Sequence, residues 1–373
     1  MPPSTLFTLE ALDAGEGDCL ILHYGSSGAP RQLLIDGGPP ATYQRTLRPR
    51  LQEIGERLGQ LPLELSHVLV THLDSDHIGG VLGLARQMGE PDCPGQCDSF
   101  WLNTFNEELL ARLPAPARAA RAQAQGGDLA AVRASVGEGL ALDDELVRLH
   151  ALRNGGAGVL VADGAPLALA LAPGQFDAAL ICPDLPHLHA LAAEWKSKTD
   201  GGAAGLADYL DQSVYNLSSL VIVVRASDPM HGAASMLLTG DARGDHILAG
   251  LAHAGLLDDD ASAVFDLLKV PHHGSDRNLN AQFFRTVQAR HYVISANGRH
   301  SNPSVETLQW IAQGARDPHY RVWLTNDNNP LKPELAGNIA AAVEAVPGLA
   351  GHLHARAAGA RSVLIDLFAP VHY

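Results

Sequence analysis

Four side chains able to bind a metal, His72, Asp74, Asp76 and His77, fall within six positions of this chain, in the run Thr71-His72-Leu73-Asp74-Ser75-Asp76-His77-Ile78-Gly79-Gly80. They come directly after the apolar run His67-Val68-Leu69-Val70. If Val68 to Val70 form a buried strand, the period-two rule sends His72 and Asp74 off its end on one side, and Asp76 and His77 follow in the loop that opens the next segment. That segment reads as a helix with Ile78, Val81, Leu82 and Ala85 on one face. Imidazole and carboxylate donors together suit borderline or hard divalent cations such as zinc, manganese or iron, and a cluster this dense points to two adjacent ions.

Two later segments also end apolar runs. In Ser235-Met236-Leu237-Leu238-Thr239-Gly240-Asp241-Ala242 a strand is expected to stop at a glycine that permits a tight turn, with Asp241 at its tip. Asp266 to Val270 is a second short apolar run, closed by Pro271 and followed by His272-His273-Gly274-Ser275. Alone, each is an ordinary turn or a surface histidine pair. In this order, after the first cluster, they become specific.

With these motifs the chain resembles the metallo-β-lactamase superfamily of hydrolases, and within it the hydrolase domain of the bacterial DNA-uptake channel protein ComEC. Asp13-Ala14-Gly15-Glu16-Gly17-Asp18-Cys19 and Leu33-Leu34-Ile35-Asp36-Gly37-Gly38 are similar to the family's opening pair of strands. Thr71 to Gly80 resembles its His-x-Asp-x-Asp-His-x-Gly-Gly metal motif, and Leu238 to Ala242 and Lys269 to Ser275 resemble later signatures of the ComEC branch. Ile294 to Asn297, Asn302-Pro303 and Trp323 to Thr325 are similar but looser.

Residue by residue, the resemblance implies that His72 and Asp74 face one metal, that Asp76, His77 and a histidine of the 272–273 pair hold the other, and that Asp241 bridges them. His273 is favoured because it directly precedes the glycine. Asp74 stands where most of the superfamily has histidine, so the first site is harder and manganese competes with zinc. Tyr215-Asn216-Leu217-Ser218-Ser219 precedes the strand Leu220 to Val224 where many relatives supply another histidine; the first site is then ligand-poor, with Asn216 a neighbouring contact at best.

The resemblance also implies the fold, an α/β sandwich of αββα layers in which helices flank two mixed sheets. The ligands run from His72 to His273, which favours one domain over residues 1–373. Within it, residues from about 107 to 166 shift to Ala, Arg and Gly, with helical periodicity in Leu129 to Val136 and Asp143 to Leu152 and breaks at Gly126-Gly127 and Gly155-Gly156. This reads as a helical insertion over the site, either a lid or a solubilising loop. Strands are expected at Asp98 to Asn103, Leu167 to Ala172, Phe176 to Cys182, Tyr320 to Leu324 and Ser362 to Leu367. Helices are expected at Leu185 to Ser197, which carries His187 and His189 as surface or packing residues, and near His246 to Leu257.

No apolar run reaches membrane-spanning length, and Met1-Pro2-Pro3-Ser4-Thr5 lacks the start of a secretory signal, so a cytoplasmic, free-standing protein with no membrane partner is expected. The four cysteines, at 19, 93, 97 and 182, do not form a disulfide framework, and Cys93-Pro94-Gly95-Gln96-Cys97 is read as a loop with two thiols rather than a small metal site. With 41 acidic against 26 basic residues, the formal charge of −15 disfavours long polyanions unless a local basic groove overrides it. Lys269, Arg277 and Arg299 are candidates for such a contact. The oligomeric state is open.

The expected activity is a metal-dependent phosphodiesterase or nuclease that uses two zinc or manganese ions and a metal-bridging hydroxide on a phosphodiester, nucleic acid or nucleotide. Asp76 or Asp74 would orient the hydroxide, and His272, His300 or Ser275 would protonate the leaving group. The alternatives are a hydrolase of a carbonyl substrate such as a β-lactam, lactone or thioester, and a binding module with a vestigial site.

Overall fold

Sixteen strands among the described residues sort into two mixed sheets, which the structure, a computed structural model describing residues 3–103, 130–185 and 218–373, stacks face to face. The first sheet holds β1 (Thr5–Leu12), β2 (Leu20–Ser26), β3 (Ala29–Ile35), β4 (Leu63–Leu69), β5 (Gly95–Gln96), β6 (Ser99–Trp101), β7 (Leu152–Arg153) and β16 (Ser362–Asp366). Its order is β16-β1-β2-β3-β4-β6-β7, with β5 beside β4. The second sheet runs in order from β15 (Leu353–Ala355) through β14 (Arg321–Leu324), β13 (Val287–Ile294), β12 (Ala263–Lys269), β11 (Gly232–Leu238), β10 (Val221–Asp228) and β9 (Asp177–Cys182) to β8 (Leu167–Leu169).

Alternation along the strands assigns the layers. Phe7, Leu9 and Ala11 of β1, Leu20 and Leu22 of β2, and Ile222 and Val224 of β10 share the core between the sheets. Their neighbours Leu12, Ile21 and Leu34 face α2 (Arg48–Leu58), α3 (Ser75–Gln87) and α4 (Ala130–Arg148) instead. Val221, Val223 and Leu268 likewise pack against α5 (Gly244–His253), α6 (Ala281–Thr286), α7 (Val305–Gly314) and α8 (Glu334–Ala345). The remaining helix, α1 (Pro40–Thr42), is one short turn that leads through Tyr43–Leu47 into α2. Because both sheets carry apolar residues on both faces, each needs a helical layer outside as well as a sheet inside. The αββα arrangement follows.

β3, β4 and β6 are parallel neighbours in the first sheet, as are β11, β12 and β13 in the second. Their carboxyl ends supply the loops that carry the motifs. The Leu220 N–H donates to the Thr71 carbonyl at 2.9 Å, and the Ser295 hydroxyl donates to the Gly17 carbonyl at 2.6 Å, so backbone from the two halves is tied together there.

The middle of the chain differs from its sequence reading. α4 packs on α3, with Leu142 and Leu146 buried in the outer core, so its described part belongs to the helical layer. Beyond it, Leu152–Arg153 is a strand rather than helix, because the edge of β6 offers unpaired backbone groups that it satisfies. Residues 104–129 lie outside the described residues, as do nearly all of the expected helix from Leu185 to Ser197, His187, His189 and Asn216. All four cysteines are buried free thiols; Cys93 donates to the Gly95 carbonyl and Cys97 to that of Ser99. No helix among the described residues is long and apolar enough to cross a membrane.

A second buried polar network ties β1, β2, α2 and the last residue. The Glu10 carboxylate accepts from Arg50 Nε and from His23 Nε2, both at 2.8 Å, and from the Ser362 hydroxyl. Arg50 also reaches the Tyr373 carbonyl at 3.0 Å.

Candidate metal centre

β4 ends at Leu69, and four residues of loop lead to Asp74, the residue before the first turn of α3. Asp76 and His77 therefore stand in the first helical turn and not in a loop, as the sequence spacing had implied. The reason is local: Asp74 precedes the helix with extended backbone, and its carbonyl accepts both the His77 and Ile78 N–H groups, at 2.9 Å each. Gly80 lets this helix start lie against the turn after β3, since a side chain there would begin 1.9 Å from the Gly37 carbonyl oxygen.

The histidines are held from behind. His77 Nδ1 donates to Asp36 Oδ2 at 2.9 Å, and the same carboxylate accepts from the Thr71 hydroxyl at 2.7 Å and the Thr71 N–H at 2.8 Å. Because that hydroxyl spends its proton on Asp36, it accepts from His72 Nδ1 at 3.1 Å. His273 Nδ1 donates to the Ser295 carbonyl at 2.9 Å. In all three rings Nδ1 is thus the donor, which leaves Nε2 as the nitrogen that would bind a cation, on His77 and His273 once its proton is displaced.

Those Nε2 atoms converge. His77 Nε2 is 3.3 Å from Asp241 Oδ1, and His273 Nε2 is 3.3 Å from Asp241 Oδ2 and 3.6 Å from Asp76 Oδ2. His72 Nε2 is 3.6 Å from Asp74 Oδ2. Among the described residues, none of the three Nε2 atoms, nor Asp241 Oδ1, has a hydrogen-bond partner, although all are buried. Orphaned buried polar atoms are costly and rare, and four of them aimed at one another fit a site for cations. Four triads meet the spacing for an ion: His72, His77 and Asp241; Asp76, His77 and His273; Asp18, Asp241 and His273; and Asp18, Asp36 and His77.

Electrostatics agree. Burial works against the charged form of each group, yet the charges of His273, His77 and His272 hold Asp241 well below the usual carboxylate range. Burial likewise works against charging His77 and His273, but Asp241 and the neighbouring carboxylates push both well above the ordinary imidazole value. Protonated imidazoles thereby neutralise carboxylates that a cation would otherwise neutralise. For Asp74, burial dominates and raises its carboxyl; for Asp76, burial is outweighed by His273 and His77, which lower it.

Five of the six residues expected as ligands, His72, Asp76, His77, Asp241 and His273, recur in these triads, and Asp74 adjoins them through its 3.6 Å contact with His72. The expected proton donors fare differently. His272 Nε2 lies 3.8 Å from Asp241 Oδ2, its Nδ1 accepts from Asn278 Nδ2 at 2.7 Å, and burial depresses its pKa to about 4. His300 is exposed on the turn Arg299–Ser301 and joins none of the candidate metal clusters. Ser275 is buried. Lys269 does not reach out to a phosphate: it is fully buried and pairs with Asp18 at 2.7 Å. Arg299 pairs with Glu16.

Asp18 and Asp36 were missed as site residues. Both sat in quoted motifs, but a lone aspartate at a strand end reads as a turn residue. Only the folded chain brings Asp36 to the back of His77, and Asp18 between His77 and His273.

No curated protein matches the chain. Solved structures resembling it include MEM-A1, a subclass B3 metallo-β-lactamase isolated from a soil metagenome library, at 16% identity over 74% of this chain and 81% of that one, TM-score 0.32. Another is the metallo-β-lactamase MIM-1 from Novosphingobium pentaromativorans, at 14% identity over 94% of this chain and 90% of that one, TM-score 0.33. The family model described as the metallo-beta-lactamase superfamily matches residues 31–141, from β3 through the His72 to His77 loop and α3 into α4. Over residues 31–141 the chain is thus similar to the metallo-β-lactamase superfamily, and its buried histidine and aspartate groups could hold metal ions.

Proposed function

We propose that this protein is a metal-dependent phosphodiesterase acting on a small phosphodiester or nucleotide. The observation that carries the reading is the donor set: three imidazole Nε2 atoms without hydrogen-bond partners among the described residues, facing three aspartates, Asp74, Asp76 and Asp241. His72 and Asp74 would hold one cation, Asp76, His77 and His273 the other, with Asp241 between them. Asp18, Asp36, Asp74, Asp76 and Asp241 bring five carboxylates and Lys269 one ammonium; the four negative charges in excess at full ionisation are cancelled by two divalent cations. A set this rich in oxygen favours manganese beside zinc.

Two such cations supply an activated water and stabilise charge that develops on phosphorus oxygens. The chain's own part is orientation. Asp36 fixes the Nδ1 proton of His77, and Ser295 that of His273, so the donors are set before substrate arrives. His272, with a pKa near 4, is neutral around pH 7 and so is suited to accepting a hydrogen bond rather than to protonating a leaving group. The net charge of −15 favours a substrate with few phosphates over a long nucleic acid, whose many charges the surface would repel.

Turnover of bis-p-nitrophenyl phosphate with added manganese or zinc, measured beside nitrocefin and a thioester panel, tests the reading. Phosphodiester turnover that disappears in Asp241→Ala is expected. Activity confined to nitrocefin or thioesters would replace it with carbonyl hydrolysis on the same donor set, and metal binding without any turnover would leave a binding module.

A further inference from the structure

At the edge of the cluster lies a buried ion pair that includes Asp18, whose ligand atoms lie within 4.8 Å of those of Asp241 and His273. Asp18, in the turn between β1 and β2 of the first sheet, sets its Oδ2 2.7 Å from Nζ of Lys269, the last residue of β12 in the second sheet. Both residues are fully buried. The Lys269 ammonium also donates to the Val270 carbonyl at 3.0 Å, so its direction is fixed.

The other carboxylate oxygen, Asp18 Oδ1, has no hydrogen-bond partner among the described residues and stands 3.6 Å from His273 Nδ1. It is on the side of the ring away from the Nε2 lone pair. Asp18 also lies with Asp36 and His77 in one group whose ligand atoms are within 4.8 Å of one another. Its backbone is as firmly held as its side chain. The Gly38 N–H donates to the Asp18 carbonyl at 2.7 Å, and Gly17 presses so close to the metal loop that a side chain there would begin 2.0 Å from the Asp76 carbonyl oxygen.

We propose that Asp18 is a positioning residue which, anchored by Lys269, sets the strength with which His273 binds its cation. The inference rests on the metal-binding part of the function proposed above and is independent of the substrate. A carboxylate beside the Nδ1–H side of an imidazole makes the opposite nitrogen a better donor and fixes the ring's orientation; Asp36 does this for His77 through a direct bond, and Asp18 supplies the corresponding charge for His273. Lys269 performs two tasks. It compensates a carboxylate that could not otherwise stay ionised in an apolar interior, and it holds that carboxylate where its free oxygen faces the histidine.

A buried pair that joins two sheets also acts as a plain structural clamp, and the two roles separate experimentally. Manganese and zinc affinities are measured by titration calorimetry on the full chain, with thermal denaturation of each metal-free variant, for the wild type, Asp18→Asn, Lys269→Met and the double variant Asp18→Asn/Lys269→Met. Asp18→Asn should weaken binding about 10–100-fold, the usual effect of losing a partner behind a metal-binding histidine. Lys269→Met, which leaves the buried Asp18 carboxyl unable to stay ionised, should lower the melting temperature and weaken binding about as far as Asp18→Asn does. The double variant removes both charges, so its melting temperature should recover while its affinity stays low. The visible spectrum of the cobalt-loaded protein should shift in Asp18→Asn and in the double variant, because the donor strength of His273 changes. A double variant that binds cations like the wild type would reduce the pair to a clamp and overturn the proposal. A wild type that takes up no cation would instead overturn the metal reading on which it rests.

Discussion

His77 Nδ1 and Asp36 Oδ2 lie 2.9 Å apart, both fully buried, and this one bond decides which nitrogen His77 turns toward Asp241. Asp36 is the last link of a relay, since Thr71 bonds the same carboxylate oxygen and passes the constraint on to His72. Asp36→Ala should free two ring orientations at once and weaken manganese or zinc binding about 10–100-fold. Titration calorimetry checks this; an affinity equal to that of the wild type would show that the rings are held by packing alone.

Cation binding should depend steeply on pH. In the metal-free protein His77 and His273 carry protons to well above the ordinary imidazole value, because Asp241 and its neighbours outweigh the cost of burial. A cation must displace those protons, so affinity should rise about tenfold per pH unit for each proton released, from pH 6 upward. Calorimetry in buffers of different ionisation enthalpy counts the protons, and a pH-independent affinity with none released would contradict the assignment.

The same shifts set the stability of the metal-free protein. The raised imidazoles contribute stability that is fully present below about pH 6.5, their unfolded value, and is lost as pH climbs through their folded values. The lowered carboxyls of Asp76 and Asp241 contribute stability that is present above pH 3.8, their ordinary value, and lost as pH falls toward their folded values. Chelator-treated protein should therefore melt at a lower temperature at pH 9 than at pH 6, and manganese should restore it. A melting temperature that rises over that interval without metal would be inconsistent with the cluster.

The Glu10 network bears on stability and not on the site. Burial pushes the Glu10 carboxyl up, but His23 and Arg50 more than offset this and bring it from 4.5 to about 2. Its contribution is present above pH 4.5 and lost as pH falls toward 2. Arg50→Leu, which strands the carboxylate, should cost about 3–5 kcal/mol in urea denaturation at pH 7 with cation affinity unchanged. A loss below about 1 kcal/mol would mean that Glu10 is neutral when folded.

Individual strands were legible in the sequence because alternation and short apolar runs mark them directly: β9, β10, β12, β14 and β16 lie within a few residues of the expected segments, whereas their stacking into a sandwich was implied by the family resemblance. The ligand candidates were legible because His72, Asp74, Asp76 and His77 are crowded and stand at the end of such a run. What the spacing does not carry is partnership across the chain. Asp18 is 251 positions from Lys269, and Asp36 is 41 from His77, so nothing local marks either as part of the site. Lys269 was misread for the same reason: a lysine beside a motif reads as solvated, and only the buried carboxylate opposite it makes its interior position tolerable. The strand at Leu152–Arg153 was hidden because two residues show no periodicity, and the edge of β6 recruits them.

The central claim is that His72, Asp74, Asp76, His77, His273 and Asp241 together grip two cations. Crystals grown with manganese, with anomalous differences recorded at the manganese edge, test it most directly. Two peaks about 3.5–4 Å apart, flanking the Asp241 carboxylate, are predicted. A map with no peak among these six side chains, or with manganese bound elsewhere on the protein, would contradict the account.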